Sequence, residues 1–307
     1  MSGSGEGVGP LSPAPAGLGV LLTKGPVDSS RWSEAGRGFG DLDDLGCSTI
    51  WLADHLFWGE PMPEALIMTA VAASTTSRCG VGTGVLQLPL RSAASVAKAA
   101  ATLQLVSGGR FVLGVGSGEH AAEYERAGVE FSARGRTLDR AIDQVRAFWS
   151  EGEEAGRFAQ RPAPGQVPVW IGGSSPAALA RAAVRGDGWL PLFVTPERFE
   201  RSNRELDRLL GAAGRPTGDV VRSPVVITSV TSAGWSRDRA RSWAARLWSM
   251  DGRLVERYLV TGSAHECAIQ LSRYRSVGAG PVAVLLATDR PIEMFAELNP
   301  AFQAESE

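Results

Sequence analysis

The chemistry in this sequence centres on Arg110-Phe-Val-Leu-Gly-Val-Gly-Ser-Gly-Glu119. An apolar, β-branched run passes into Gly116-Ser117-Gly118, an acid follows, and a helical pattern starts at His120-Ala-Ala-Glu-Tyr124. This reads as a buried strand ending in a tight turn that a flat ring can approach closely. A carboxylate at such a strand end is costly to desolvate unless paired or used, which makes Glu119 a candidate for proton transfer. The same residue also reads as an acid favoured in the first turn of a helix by the macrodipole. His55 is one of only three histidines and follows Asp54 at the end of a second apolar run, Ser48 to Ala53. Its type suits acid or base work near neutral pH, while a structural histidine fits the same position. His120 and His265 sit in helical patterns and read as surface or capping residues.

The third constellation is Gly172-Gly173-Ser174-Ser175-Pro176. Glycines expose backbone N–H groups, Ser175 suits an N-cap, Pro176 suits the first helical position, and the helix start attracts an anion such as phosphate. An ordinary turn into a capped helix has the same composition. No Walker lysine follows, and no complete dinucleotide fingerprint occurs. No metal-ligand spacing is visible either, and Cys47, Cys79 and Cys267 are unclustered, so they read as small core residues.

Short apolar runs at Gly17–Leu22, Ser48–Ala53, Gly80–Leu86, Arg110–Gly116, Val167–Ile171, Gly186–Leu190, Val220–Val230 and Pro281–Leu286 position these residues. Patterns of helical spacing separate them. The connections are too long for hairpins, so the strands are expected to be parallel with both faces covered. With no linker dividing the chain, the fold class is α/β: one (β/α)₈ barrel whose strand C-terminal ends open on one face, carrying insertion segments there. Ser236–Met250, Arg253–Leu259 and Thr261–Val277 read as helices. The domain is expected over residues 17–298, with a disordered Gly/Ser/Pro-rich tail at 1–16 and a frayed C-terminus at 299–307.

At 307 residues and 44% apolar content the chain can bury a large core. A net charge of −2 provides no cationic field for nucleic acid or an anionic membrane surface. No run is apolar enough to span a bilayer and no leader is visible, so the expected location is cytoplasmic.

These residues together resemble the luciferase-like monooxygenase superfamily of barrel flavoproteins, which holds FMN-dependent monooxygenases and oxidoreductases using the deazaflavin coenzyme F420. The resemblance runs from about Gly17 to Ala287. Leu52-Ala-Asp-His-Leu-Phe-Trp58, Gly82-Thr-Gly-Val-Leu86 with Arg91, the Ser-Gly-Gly-Arg within Leu103–Gly114, and Gly172-Gly173 through Gly186-Asp-Gly-Trp189 carry it.

The resemblance implies more than the spacing does. In the F420 branch, positions matching Glu119 and His55 are the proton-transfer candidates, and Asp54 matches a cofactor contact; the FMN branch usually lacks the acid. Gly84-Val85 matches a non-proline cis peptide that forms a bulge behind the deazaflavin, and Gly172 to Ser175 match the loop taking the cofactor phosphate. Gln87, Ser117 and Gly118 fall in the same strand-end set, and Trp58 is expected in the substrate pocket. The implied activity is hydride transfer between F420 and a small organic substrate. FMN-dependent oxygenation, or a flavin-binding barrel without turnover, is the alternative. The resemblance also implies a homodimer. Trp58 lies one residue closer to His55 than in the sugar-phosphate dehydrogenases of this branch, and their basic phosphate-binding set has no match here, which speaks against glucose 6-phosphate. Within Thr231–Thr261, Trp235, Trp243 and Trp248 either flank the substrate pocket or pack between helices, with packing expected for at least two.

Overall fold

The structure is a computed structural model and describes residues 17–150, 159–160, 163, 166–231 and 235–305. The expectation for residues 1–16 lies outside them. The chain opens with β1 (Leu18–Leu22), α1 (Ala35–Asp44), β2 (Thr49–Leu52), α2 (Ala65–Thr75), β3 (Gly80–Thr83), β4 (Leu86–Gln87), α3 (Ala93–Val106), β5 (Phe111–Gly116), α4 (Ala121–Arg126) and α5 (Arg134–Ser150). It continues with β6 (Val169–Gly172), α6 (Pro176–Arg185), β7 (Gly188–Leu190), α7 (Pro196–Ala212), β8 (Val221–Arg222), β9 (Val225–Val230), α8 (Arg237–Trp248), α9 (Gly252–Glu256), β10 (Leu259–Gly262), α10 (Ala264–Ser276), β11 (Val282–Leu286) and α11 (Pro291–Ala304).

Local sequence explains most boundaries. Ser92, Ser175, Thr195 and Ser236 each accept a backbone N–H as N-caps, with proline at the first position of α6 and α7. Ser263 and Glu266 form a reciprocal capping box on α10. The helices cover the sheet with apolar faces such as Phe39 and Leu42 on α1 and Leu206 and Leu210 on α7.

All strand pairs are parallel, in the order β10-β9-β11-β1-β2-β3-β5-β6-β7-β8, with β4 pairing β5. This α/β sheet curls, but the expected count of eight strands is not what forms. Three local causes account for the difference. The third expected strand breaks after Thr83, where the Gly84–Val85 peptide is cis; β3 pairs the start of β5 and β4 pairs its end. Pro224 offers no N–H and divides β8 from β9. The stretch nonetheless joins both flanks, since Val225 N–H donates to Pro191 O at 2.8 Å and Ala283 N–H donates to Pro224 O at 3.0 Å. Finally, Leu259–Gly262, expected at the seam of two helices, is a strand beside β9. Four residues are too few for a period to show.

The C-terminus also differs from expectation. Helix α11 runs through Pro300 to Ala304, and Phe302 is buried in the core, so residues 299–304 are packed structure and not a frayed end. No helix among the described residues is long and apolar enough to cross a membrane.

Candidate active site

Parallel strands place their C-terminal ends together, and there the structure forms a cavity of about 440 Å³. The strand-end residues expected from sequence to meet cofactor or substrate line it: Asp54, His55 and Trp58 after β2; Gly84, Val85 and Gln87 at the β3–β4 break; Ser117, Gly118 and Glu119 after β5; and Gly172 to Ser175 at the end of β6.

The β3–β4 break supplies the floor. The Val85 side chain nests against two strands, β5 and β6: a Cβ placed on Gly116 would lie 2.6 Å from Val85 Cγ2, and one on Gly172 would lie 2.8 Å from the same atom. These glycines are therefore space for Val85, an apolar side chain that lines the cavity.

His55 is held from below. Its Nδ1 lies 3.0 Å from Glu123 Oε2 and 3.0 Å from Gln87 Nε2. The Gln87 amide spends its two hydrogens on Glu123 Oε2 at 3.0 Å and Asp54 O at 3.1 Å, so the Nδ1 proton is assigned to the bond with Glu123. Nε2 is then the ring nitrogen that carries the lone pair. Trp58 stacks on the imidazole at 4.0 Å between centroids. His120, expected as a surface or capping residue, instead tilts against both rings, at 5.7 Å and 5.2 Å, and makes no side-chain cap bond.

Glu123 is the residue the sequence reading missed. Its side chain is 2% exposed, and its other oxygen accepts the N–H groups of Leu56 at 2.6 Å and Phe57 at 3.2 Å. Burial pushes its carboxyl upward, but hydrogen bonds from His55, Gln87 and Phe57 outweigh that and hold it down at about 2. The available signal was an acid in the first turn of a short helix, four residues beyond Glu119 and one turn from the strand end.

Glu119 differs from what the strand-end argument required. It lines the cavity, yet its side chain is 66% exposed, with His120 Nε2 at 3.5 Å. The desolvation expected for Glu119 belongs to Glu123. Gly118 takes φ +65°, and a Cβ there would meet Gln87 Oε1 at 2.1 Å, so only glycine fits between the turn and this amide. Asp54 is buried, and both carboxylate oxygens are committed: Arg91 Nη2 donates at 2.5 Å, Arg91 Nε at 3.3 Å and Gln87 N–H at 2.9 Å. Burial raises its carboxyl and Arg91 opposes that. Its carboxylate therefore anchors the His55 loop and is no free acid.

Two observations test whether the lining fits a flavin-like ligand. Gln87 Oε1 is a buried acceptor with no partner among the described residues. At the other end, Gly173 takes φ +97°, Ser174 and Ser175 lead into α6, and the Arg198 guanidinium donates to Ser174 O at 3.1 Å and Ser174 Oγ at 3.4 Å. The Val85 lining and a helix start with a cation behind it fit a flat heterocycle with an anionic tail, whereas Gln87 Oε1, an acceptor in need of a donor, is closed off against Gly118.

Of the three tryptophans in the inserted segment, Trp248 lines the cavity, whereas Trp235 is buried beneath Arg239 and Trp243 packs partly buried against the core.

The family model described as luciferase-like monooxygenase matches residues 18–268. The chain belongs to this family. Within it, a putative coenzyme F420-dependent oxidoreductase of Mycobacterium tuberculosis is 30% identical over 224 residues, 66% of this chain and 62% of its own. An uncharacterised protein of Mycobacterium bovis is 34% identical over 59% of this chain, and this luciferase-like chain spans 63% of that relative's length. Among solved structures, an F420-dependent secondary alcohol dehydrogenase in complex with an F420–acetone adduct superposes with a TM-score of 0.80 at 17% identity, over 94% of this chain and 99% of the other. The oxygenating constituent of the 3,6-diketocamphane monooxygenase of Pseudomonas putida, in complex with FMN, gives 0.70 at 13% identity, over 93% and 97%. These likenesses concern the fold.

Proposed function

We propose that this luciferase-like protein is an oxidoreductase that uses coenzyme F420 to exchange a hydride with a small organic substrate, with the accompanying proton handled by His55 or Glu119. One observation carries the reading: His55 lines the same cavity as Val85 with Nδ1 fixed by a buried carboxylate, and a second acid, Glu119, borders that cavity. The deazaflavin would supply the redox chemistry. Gly173 to Ser175, with Arg198 behind them, would hold its phosphate; Val85 and Gln87 would meet its ring. His55 and Glu119 would take up or release the proton, and Trp58 would hold the imidazole plane by stacking.

The similar F420-dependent proteins support this choice of cofactor. FMN is the second reading, favoured by the FMN-bound structure on the same fold. Side-by-side titration of the purified protein with F420 and FMN separates them, read by tryptophan fluorescence, since Trp58 lines the cavity. Micromolar F420 binding with FMN at least tenfold weaker is expected. The reverse, together with oxygen uptake on adding reduced FMN, would overturn the F420 assignment. For the proton roles, His55→Gln and Glu119→Gln are compared at equal F420 saturation. Turnover unchanged in both would remove these residues from the mechanism.

A further inference from the structure

Helix α4 is short, yet two of its residues, Glu123 and Tyr124, are buried. Tyr124 Oη donates to Ser117 O at 2.5 Å, which ties the helix to the turn after β5. Glu123 ties the same helix to the loop after β2. Its carboxylate meets four donors, two on each oxygen: Oε1 accepts from the backbone N–H groups of Leu56 and Phe57, while Oε2 accepts from Gln87 Nε2 and stands 3.0 Å from His55 Nδ1. A carboxylate offers about four lone-pair sites, so the set is complete once Nδ1 donates. Two backbone N–H groups and an amide NH₂ can only donate at these contacts. The imidazole alone has a choice of tautomer.

No lysine or arginine pairs with Glu123 among the described residues, and a buried carboxylate without such a partner is costly to keep. Anchoring the loop does not require the charge, because the carbonyl oxygen of a glutamine would serve Leu56 and Phe57 as well. The second oxygen does require it: an amide NH₂ there would meet the donors of Gln87 and His55. Resting on the reading of His55 as a proton-handling group, we propose that Glu123 is a positioning residue that fixes the tautomer of His55, with the proton on Nδ1 and the lone pair on Nε2. Glu123 does not line the cavity and acts through the imidazole, which does. A neutral His55 held in this way accepts a proton only at Nε2.

The test uses the full chain without cofactor, labelled with ¹⁵N at histidine. The sequence has only three histidines, and a His55→Gln sample identifies the signals of residue 55. Spectra are taken at about pH 9, above the ordinary imidazole range, where the ring nitrogen shifts report the tautomer. Wild-type His55 is expected as the Nδ1–H tautomer. Glu123→Gln should move the tautomer ratio by about tenfold or more towards Nε2–H, with His265 unchanged. Tyr124→Phe removes the other buried hydrogen bond of this helix and should leave the ratio within about twofold of wild type. An Nε2–H tautomer in the wild type overturns the inference, whether or not the Glu123 variant folds. An unchanged ratio in Glu123→Gln also overturns it, as does an equal reversal in Tyr124→Phe, since loosening of α4 would then be the cause. If the tautomer reverses as expected while His55→Gln leaves turnover at equal F420 saturation unchanged, the positioning role stands and the proton role of His55 falls instead.

Discussion

Glu123→Gln tests the buried network directly. The side chain keeps its shape, and its carbonyl oxygen can still accept from Leu56 and Phe57 N–H, but an NH₂ group now faces His55 Nδ1 and Gln87 Nε2, both of which donate. The carboxyl falls from an ordinary 4.5 to about 2 in the fold. At about 1.36 kcal/mol per tenfold change in proton affinity, this corresponds to about 3 kcal/mol of stability at neutral pH. The sign follows from the depression: the contribution is complete above the unfolded value of 4.5 and is lost as pH falls towards 2. Linkage of this one group, with its unfolded and folded values, places about 2 kcal/mol of the loss between pH 6 and pH 3.

Urea unfolding of wild type and variant at both pH values is the assay, because the other titrating groups are common to the pair and drop out of the difference. The variant is expected to be about 3 kcal/mol less stable at pH 6 and only about 1 kcal/mol less stable at pH 3. A gap of equal size at both pH values would show that Glu123 is not held as a buried carboxylate by these donors, and the assignment of the His55 Nδ1 proton would fall with it.

Arg91→Ala should strand the Asp54 carboxylate and cost roughly 3–5 kcal/mol at pH 7. Because burial already raises the Asp54 carboxyl, the penalty should shrink as pH falls and the group is protonated in the fold; urea midpoints at pH 7 and pH 4 check this. Gly172→Ala should cost about 1–3 kcal/mol by driving a methyl group into Val85, and a second change, Val85→Ala, should recover much of it; a purely additive double-mutant cycle would refute that contact. Phe302→Ala should cost about 3–5 kcal/mol in thermal or urea unfolding, since its ring is buried in the core; a cost below about 1 kcal/mol would mean that the end of α11 frays after all.

The site was legible from sequence where one residue type has few structural uses. Paired glycines at strand ends, a lone histidine after an apolar run and a Ser-Pro helix start each constrain the backbone, and parallel strands bring their C-terminal ends together whatever the intervening length. This is why residues as far apart as His55 and Ser175 were assigned to one cavity without coordinates. The strand count was less legible, because the interruptions at Gly84–Val85 and Pro224 lie inside apolar runs that read as continuous. The four residues of β10 carry too little pattern to separate from the helices around them.

Glu119 and Glu123 show the sharper limit. Both follow the same strand end, both are glutamates, and the desolvation argument applies to whichever one is buried. Composition places an acid there but cannot say which way each points: Glu119 precedes α4 and stays exposed, whereas the first turn of α4 carries Glu123 under the His55 loop. The orientation depends on Leu56 and Phe57 offering their N–H groups from 67 and 66 residues away. Such a partnership exists only once β2 and β5 stand in one sheet, with β3 between them. Local sequence can therefore nominate the acids at a strand end, while the choice between the one that stays exposed at the cavity and the one that holds the histidine belongs to the tertiary fold. The pairing also separates the two acids: a carboxylate held near 2 by its donors keeps its charge and orients the imidazole, whereas Glu119 stays exposed at the edge of the cavity.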